Sequence, residues 1–590
     1  MNSHSCAIGL EDKYSTFLLI VKLWGHFSIK RKKQFWMILI LMFFTSLMEV
    51  ISIGAVLPFL GALTAPDYVY SYPEIQPIIR FFQLSNPNQI ILPLTIIFIL
   101  AAFIAGTSRL ILLYVLTKFS FAVGADISID IYRKTLYQNY SKHISHNSVE
   151  VINGIITKTD TIINLIIIPI LTFISSIALI IAIFFTIFMI NAYVAFIVFS
   201  GFGAIYWTVG FYTKKALRGN SVCVAKNSTI MIKSLQEGLG GIRDVLINGS
   251  QEFFCKYYRD SDLLLRKAAG NNLFISASPR YVIEAIGIAL ISLTAYVMST
   301  QEGGVISVIP VLGVLALGSQ RAIPVLQQIY NTYTSVQGSY NSFLDVINLL
   351  NQSLPDHVTK KYKTIPFHKD IILNGVSFRH NNESSWVLSN VDLVIKKGSC
   401  TGFFGKTGSG KSTLVDIIMG LIPPVDGRLL VDGVSINEEN SRGWQDHIAH
   451  VPQDIFLFDS TIEENIAFGV NKHEIDFERI KKAASQAQIN DFIQGLPQQY
   501  KTVVGERGVR LSGGQKQRIG IARALYNKVD VLVFDEATSA LDIKTEESVM
   551  KSINNLKKDI TILMITHRLE TLKKCDNVIE LKDMKIIQNT

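Results

Sequence analysis

The apolar run over residues 162–190, interrupted only by Asn, Ser, Thr and Pro, constrains this chain more than any other feature. A charge-free segment longer than the ~20 residues a helix needs to cross hydrocarbon is at home in a bilayer. There its backbone polar groups must pair within the segment, which makes it a helix. Five further apolar runs occur at about 34–63, 90–116, 192–213, 281–300 and 305–327. The set predicts six transmembrane helices. The last two have glycine, proline and an arginine within them or near an end, so their limits are the least sharply drawn.

Basic residues orient the spans. Lys30-Arg31-Lys32-Lys33 precedes the first, the segment 64–89 holds one basic residue, Arg80, and 301–304 holds none. The segments 117–161 and 214–280 are rich in lysine and arginine. The positive-inside bias then places both termini in the cytoplasm of a multi-pass protein. It also assigns the net charge of +9 to cytoplasmic loops rather than to a nucleic-acid surface. Cys6, Cys223, Cys255, Cys400 and Cys575 show neither metal-ligand nor paired spacing and read as reduced packing residues. The first apolar run is too long for the core of a cleavable signal.

No proline falls between Pro93 and Pro169 or between Pro169 and Pro279, so helices can leave the membrane unbroken. Each cytoplasmic segment has a break, at 141–148 and 237–244, where a short transverse helix could press on a cytoplasmic motor. On the outward side Tyr68, Tyr70 and Tyr72 precede an apolar spacing over 74–82 that suits a short helix in the bilayer interface. Arg109, Arg280 and Arg321 sit in or beside spans, where ionisable groups are costly and face a cavity or a partner. Glu49 and Glu284 are the candidate partners. Three guanidinium groups against two carboxylates make an anion-binding cavity the sharper expectation.

A second half follows a polar linker at 351–367, dividing the chain into a membrane domain over 1–350 and a cytoplasmic domain over 368–590. Gly405-Lys406-Thr407-Gly408-Ser409-Gly410-Lys411-Ser412-Thr413 satisfies G-x-x-x-x-G-K-[ST] between a strand-like run ending at Phe404 and a helical pattern from Leu414. The glycines let backbone N–H groups turn onto phosphate oxygens, Lys411 adds charge, and the Ser412 hydroxyl can hold Mg²⁺. Gln453 follows in Val451-Pro452-Gln453-Asp454. Then come Glu506, the stretch Leu511-Ser512-Gly513-Gly514-Gln515, the apolar run 531–534 ending in Asp535-Glu536, Ser539-Ala540-Leu541-Asp542, and His567.

This ordered set resembles the ATP-binding cassette family and covers 368–582. With six spans ahead of one cassette the chain looks like an exporter-type half-transporter, a helical membrane domain fused to an α/β P-loop nucleotide-binding domain. The resemblance implies ATP hydrolysis with Mg²⁺. Asp535, Ser412 and Gln453 would serve the metal, Glu536 would act as general base, and His567 would contact the γ-phosphate. It also implies that Ser512, Gly513, Gly514 and Gln515 close over the nucleotide of a second copy, with a homodimer the economical arrangement. One departure stands out: where the family often has an aromatic residue to stack on adenine, this chain has His380, with Trp386 as a substitute.

A looser resemblance links Met48-Glu49, Leu57-Pro58-Phe59-Leu60, Ser278-Pro279-Arg280, Glu284-Ala285-Ile286-Gly287 and Arg321-Ala322-Ile323-Pro324 to the bacterial lipid-linked oligosaccharide flippases. It implies a polyprenyl-diphosphate glycan as substrate and the bacterial inner membrane as location. The competing expectations are a multidrug, lipid A-type or peptide exporter, and a non-transporting membrane ATPase. The short stretch ahead of the first span disfavours a peptidase-bearing exporter.

Overall fold

A computed structural model describes residues 14–145, 148–190, 192–299, 304–355, 362–381, 384–537, 542–554, 560–568 and 572–589. The chain forms two compact units, one from Met1–Leu136 and His146–Ser353, the other from Tyr137–Ser145 and Leu354–Thr590.

The first unit is helical, and the described residues of every predicted apolar run fall in helical segments. Ile29–Gly54 continues as Val56–Thr64, followed by Ile91–Leu136, Ile168–Ile190, Ala192–Gly240, Gln251–Ser299 and Gly304–Gly338. Among the described residues, Ile29–Thr64, Pro87–Leu136 and Ser148–Phe185 are long and apolar enough to cross a membrane. The count of six spans remains the expectation from sequence. Helices of 46 and 49 residues extend roughly 70 Å, twice the hydrocarbon thickness. Absence of proline from their interiors permits that length, and Pro279 is accommodated within Gln251–Ser299. Ile40, Phe43 and Phe103 are each 71% exposed, a surface suited to lipid rather than water. Gly124 lets two helices meet closely, because a methyl group there would collide with Ile163.

The segment after the first apolar run folds as Pro66–Tyr70, a 3₁₀ turn Pro73–Ile75 and Gln76–Phe81, matching the short helix expected over 74–82. Val69, Ile75, Ile79 and Ile90 give it a small core, while Tyr68 and Phe81 remain 66% and 81% exposed.

The second unit holds two sheets. Strands β1 (Asp370–Phe378), β2 (Leu388–Lys396), β4 (Asp426–Val431) and β5 (Val434–Ser435) form an antiparallel sheet in the order β2-β1-β4-β5. Strands β3 (Cys400–Gly405), β6 (Ile448–Val451), β7 (Val531–Asp535), β8 (Thr561–Ile565), β9 (Asn577–Lys582) and β10 (Lys585–Asn589) form the other, in the order β10-β9-β3-β8-β7-β6. All neighbours in it are parallel except β9 and β10. Continuous apolar runs in β3, β7 and β8 are buried on both faces, as a helix-covered parallel sheet requires. β2 instead alternates buried and exposed residues.

The first predicted break carries the helix Tyr140–Ser145, which belongs to the second unit. Asn139 there lines a small groove with Gly420, Pro423, Glu438 and Ser441. The second break carries Ile242–Ile247, in the first unit. His146 and Asn147 lie outside the described residues.

Arg523, on the helix Gly513–Tyr526, ties that helix to the segment after β6. Its Nε donates to the Asn465 carbonyl at 2.9 Å and its Nη1 to the Phe456 carbonyl at 3.0 Å, with the guanidinium over the Phe468 ring. Burial pushes its pKa down to about 10, still charged at neutral pH. Arg523→Ala leaves those carbonyls without donors and is expected to cost the cassette about 2–3 kcal/mol. Chemical denaturation of the purified protein measures this, and an unchanged midpoint contradicts it.

Candidate functional site

Four parallel strands end along one edge of the six-stranded sheet, and the loops leaving them carry the predicted residues. β3 runs into the glycine-rich loop, β6 into Pro452-Gln453, β7 into Asp535-Glu536 and β8 into Thr566-His567. In open α/β sheets the carboxyl ends of strands are where ligands bind.

The loop returns into the helix Lys411–Ile418 through Gly410 at φ +96°, a left-handed conformation that disfavours side chains. Gly410 also lies close to the start of β2, since a methyl group there would be 3.1 Å from the Val387 carbonyl. Lys411 Nζ donates to the Gly405 and Lys406 carbonyls at 3.0 Å each, curling the lysine back over its own loop. Burial lowers its pKa, opposed by the charges of Glu536 and Asp535. The Ser409 hydroxyl is buried without a hydrogen-bond partner, and Ser412 stands exposed beside it with Thr407 and Thr413 completing the stretch. An orphaned hydroxyl within a cradle of glycines suits an anion.

Glu536 occupies φ +48°, with its N–H donating to the Ile565 carbonyl at 3.0 Å. Two side chains converge on its carboxylate. Gln453 Nε2 donates to Oε2 at 2.9 Å, and His567 Nε2 lies 2.8 Å from Oε1. The three residues predicted for catalysis, from three strand ends, thus form one cluster. Asp535 sits next to it. Its pKa is raised by burial first and then by Glu536, with Lys411 acting in the opposite direction. A partly buried carboxylate that feels the Lys411 ammonium, together with the exposed Ser412 hydroxyl at the start of the helix after the loop, supplies hard oxygen donors, which fits Mg²⁺.

Ser512 caps Gly513–Tyr526. Its hydroxyl accepts from the Gln515 N–H at 3.3 Å and its own N–H donates to Gln515 Oε1 at 2.8 Å. Ser512 and Gly513 are exposed at a helix N-terminus, the arrangement that receives phosphate. Among the described residues no hydrogen bond or ion pair joins Ser512, Gly513, Gly514 or Gln515 to the loop 405–413 or to Glu536. Ser539, Ala540 and Leu541 lie outside the described residues. Asp542 caps the next helix, its carboxylate accepting from the Thr545 N–H at 3.0 Å.

His380 is exposed and stands edge-on to Phe378, with ring centroids 5.3 Å apart. Trp386 lies under the Arg379 guanidinium at 4.7 Å. The neighbour of Trp386, Val387, is the residue against Gly410, so the chain around Trp386 lies beside the loop. Composition held no sign of this approach, which follows from strand register.

The three arginines divide. Arg109 Nη1 is 3.3 Å from Glu49 Oε1, and Arg321 pairs with the same oxygen, Glu49 being 1% exposed. Arg280 Nε is 2.6 Å from Glu284 Oε1 one turn along its own helix, both side chains partly exposed. Arg109 and Arg321 therefore share a buried carboxylate, and Arg280 belongs to a separate pair.

Comparison with known proteins matches the model of the ABC transporter transmembrane region to residues 33–316 and the ABC transporter model to 388–539. The chain is 30% identical over 384 residues to an ATP-dependent lipid A-core flippase of Chromohalobacter salexigens, covering 64% of this chain and 65% of that one. It is 34% identical over 327 residues to the leukotoxin translocation ATP-binding protein LktB of a Pasteurella haemolytica-like species, covering 53% and 45%. To the putative multidrug export ATP-binding/permease protein YgaD of Bacillus subtilis it is 41% identical over 214 residues, covering 36% and 37%. The aligned part is thus less than two thirds of each relative. A solved bacterial Atm1-family ABC exporter with ATP bound shares the fold, with TM-score 0.76 at 20% identity over 98% of this chain and 96% of that one.

The loop glycines differ in what they exclude. A methyl group at 405 would collide with the Leu581 carbonyl oxygen, whereas at 408 it would meet nothing within 4 Å. Gly408→Ala at φ +82° should cost about 1–2 kcal/mol of backbone strain, and Gly405→Ala clearly more. Thermal unfolding of both variants tests the order, and a reversed order contradicts the loop's packing.

Proposed function

The chain belongs to the ABC transporters, as an exporter-type membrane domain fused to one nucleotide-binding cassette, and from that premise we propose that it hydrolyses ATP to move an anionic amphipathic lipid across a bacterial inner membrane. The observation that carries the ATPase reading is the Gln453–Glu536–His567 cluster beside the glycine-rich loop. The loop and Lys411 hold the nucleotide phosphates. Glu536 polarises the attacking water as general base, its carboxylate oriented by Gln453 and His567. Ser412, Gln453 and Asp535 would hold Mg²⁺, which would supply neutralisation of phosphate charge when bound. The exposed nest at 512–514 serves the nucleotide of a second copy of this chain, so the working unit is a homodimer with two equivalent sites.

The substrate is a lipid-linked diphosphate, with a polyprenyl-diphosphate oligosaccharide the favoured member. Three guanidiniums against two carboxylates leave one positive charge in excess around the paired residues. Arg109, with 48% of its side chain exposed, keeps donors to offer. The aromatic surface of Tyr68 and Phe81 suits a lipid tail at the outer interface. The charge bias of the loops supports a topology with both termini in the cytoplasm. Pairing of all three arginines favours a second reading, an exporter of drugs, lipid A-type lipids or peptides in which the arginines are structural.

Glu536→Gln is expected to retain ATP binding while turnover falls about a hundredfold or more. Steady-state hydrolysis near the wild-type rate would remove Glu536 from its role. For the substrate, Arg109→Ala leaves Glu49 its partner Arg321, and Arg280→Ala breaks only a partly exposed pair, so neither should lower the melting temperature. Both should lower translocation of a lipid-linked diphosphate glycan in proteoliposomes at least fivefold with basal ATPase unchanged. Full translocation in both variants moves the second reading ahead.

A further inference from the structure

Two cysteines that stand 175 residues apart in the chain meet in the cassette: Cys400 Sγ donates to Cys575 Sγ at 3.1 Å. Cys400 opens β3, the strand that leads to the glycine-rich loop, and is 1% exposed. Cys575 lies in the turn before β9 and is partly exposed. The backbone holds the pair in register. The Cys400 N–H donates to Asp576 Oδ2 at 2.7 Å, the Asp576 N–H donates to the Cys400 carbonyl at 2.8 Å, and Thr401 pairs with Asn577. Gly402, two residues along β3, makes the space: a methyl group there would lie 2.5 Å from Leu572 Cδ2 and 3.2 Å from Cys575 Sγ.

We propose that Cys400 and Cys575 form a dithiol site that peroxide converts to an intramolecular disulfide, a reversible staple across the cassette. The sulfurs need to approach by only about 1 Å to reach bonding distance, a movement that side-chain rotation supplies. Cys575, the accessible thiol, reacts first. Its thiolate attacks one peroxide oxygen, the O–O bond breaks, and a sulfenic acid and water result. The Cys400 thiolate then attacks the Cys575 sulfur, the S–O bond breaks, and water leaves as the S–S bond forms. Two thiols and one hydrogen peroxide give one disulfide and two waters, with sulfur oxidised and peroxide reduced. The staple closes a long loop, so it restricts the unfolded chain strongly while the folded sheet already holds both ends together. Disulfides in a reducing compartment are transient and form on oxidation, which suits a reversible role.

The test is hydrogen peroxide titration of the purified full-length protein in detergent, with peptide mapping under non-reducing conditions and thermal unfolding. A Cys400–Cys575 linked peptide is expected, together with a rise of several degrees in the melting temperature, both reversed by dithiothreitol. Cys575→Ser changes the more exposed position and so spares the core; it should form no link and show no rise. Oxidation of Cys575 to sulfinic acid without a link, a link without the rise, or the same rise in Cys575→Ser would overturn the proposal.

Discussion

Everything in the cassette depends on one packing constraint, the burial of β3, β8 and β7 on both faces within a parallel sheet. Strands so buried exclude water from their backbones and are held in fixed register. Their carboxyl ends are therefore brought to one edge at set spacing, and the loops beyond them inherit that spacing. Glu536 meets Gln453 and His567 because β6, β7 and β8 are neighbours in the sheet, not because the residues are near in sequence. The positive φ at Glu536 is a cost that the surrounding sheet pays to aim the carboxylate.

The membrane half carries a different cost. Glu49 is a carboxylate with almost no exposure, and burial of such a charge is tolerated only beside an opposite one. Two arginines from two other helices meet it, tying Ile29–Gly54, Ile91–Leu136 and Gly304–Gly338 together through one charge. A structural tie and an anion site are compatible here, since two guanidiniums have more donors than one carboxylate can accept.

Local patterns made much of this legible. The phosphate loop, the carboxylate pair at the end of β7 and the helix cap at Ser512 are short motifs whose residues act within a few positions of one another. The short helix Gln76–Phe81 was readable from apolar spacing, and Glu49 and Glu284 from the need of an arginine in or beside a span for a partner. What stayed hidden depends on register between distant strands. The approach of Val387 to Gly410 and of Cys400 to Cys575 arises from how β2 and β9 are laid beside their neighbours, and spacing along the chain carries no trace of it. The five cysteines looked scattered for that reason. The choice between His380 and Trp386 is similarly set by which ring faces a neighbour, and each already has one.

The central claim is that one chain holds the loop and the catalytic cluster while the nest at 512–514 serves a second copy. The direct measurement is steady-state ATP hydrolysis in lipid nanodiscs sorted to contain either one chain or two. The account predicts turnover in two-chain discs and, in one-chain discs, nucleotide binding with almost none. Equal turnover per chain in both populations would contradict it.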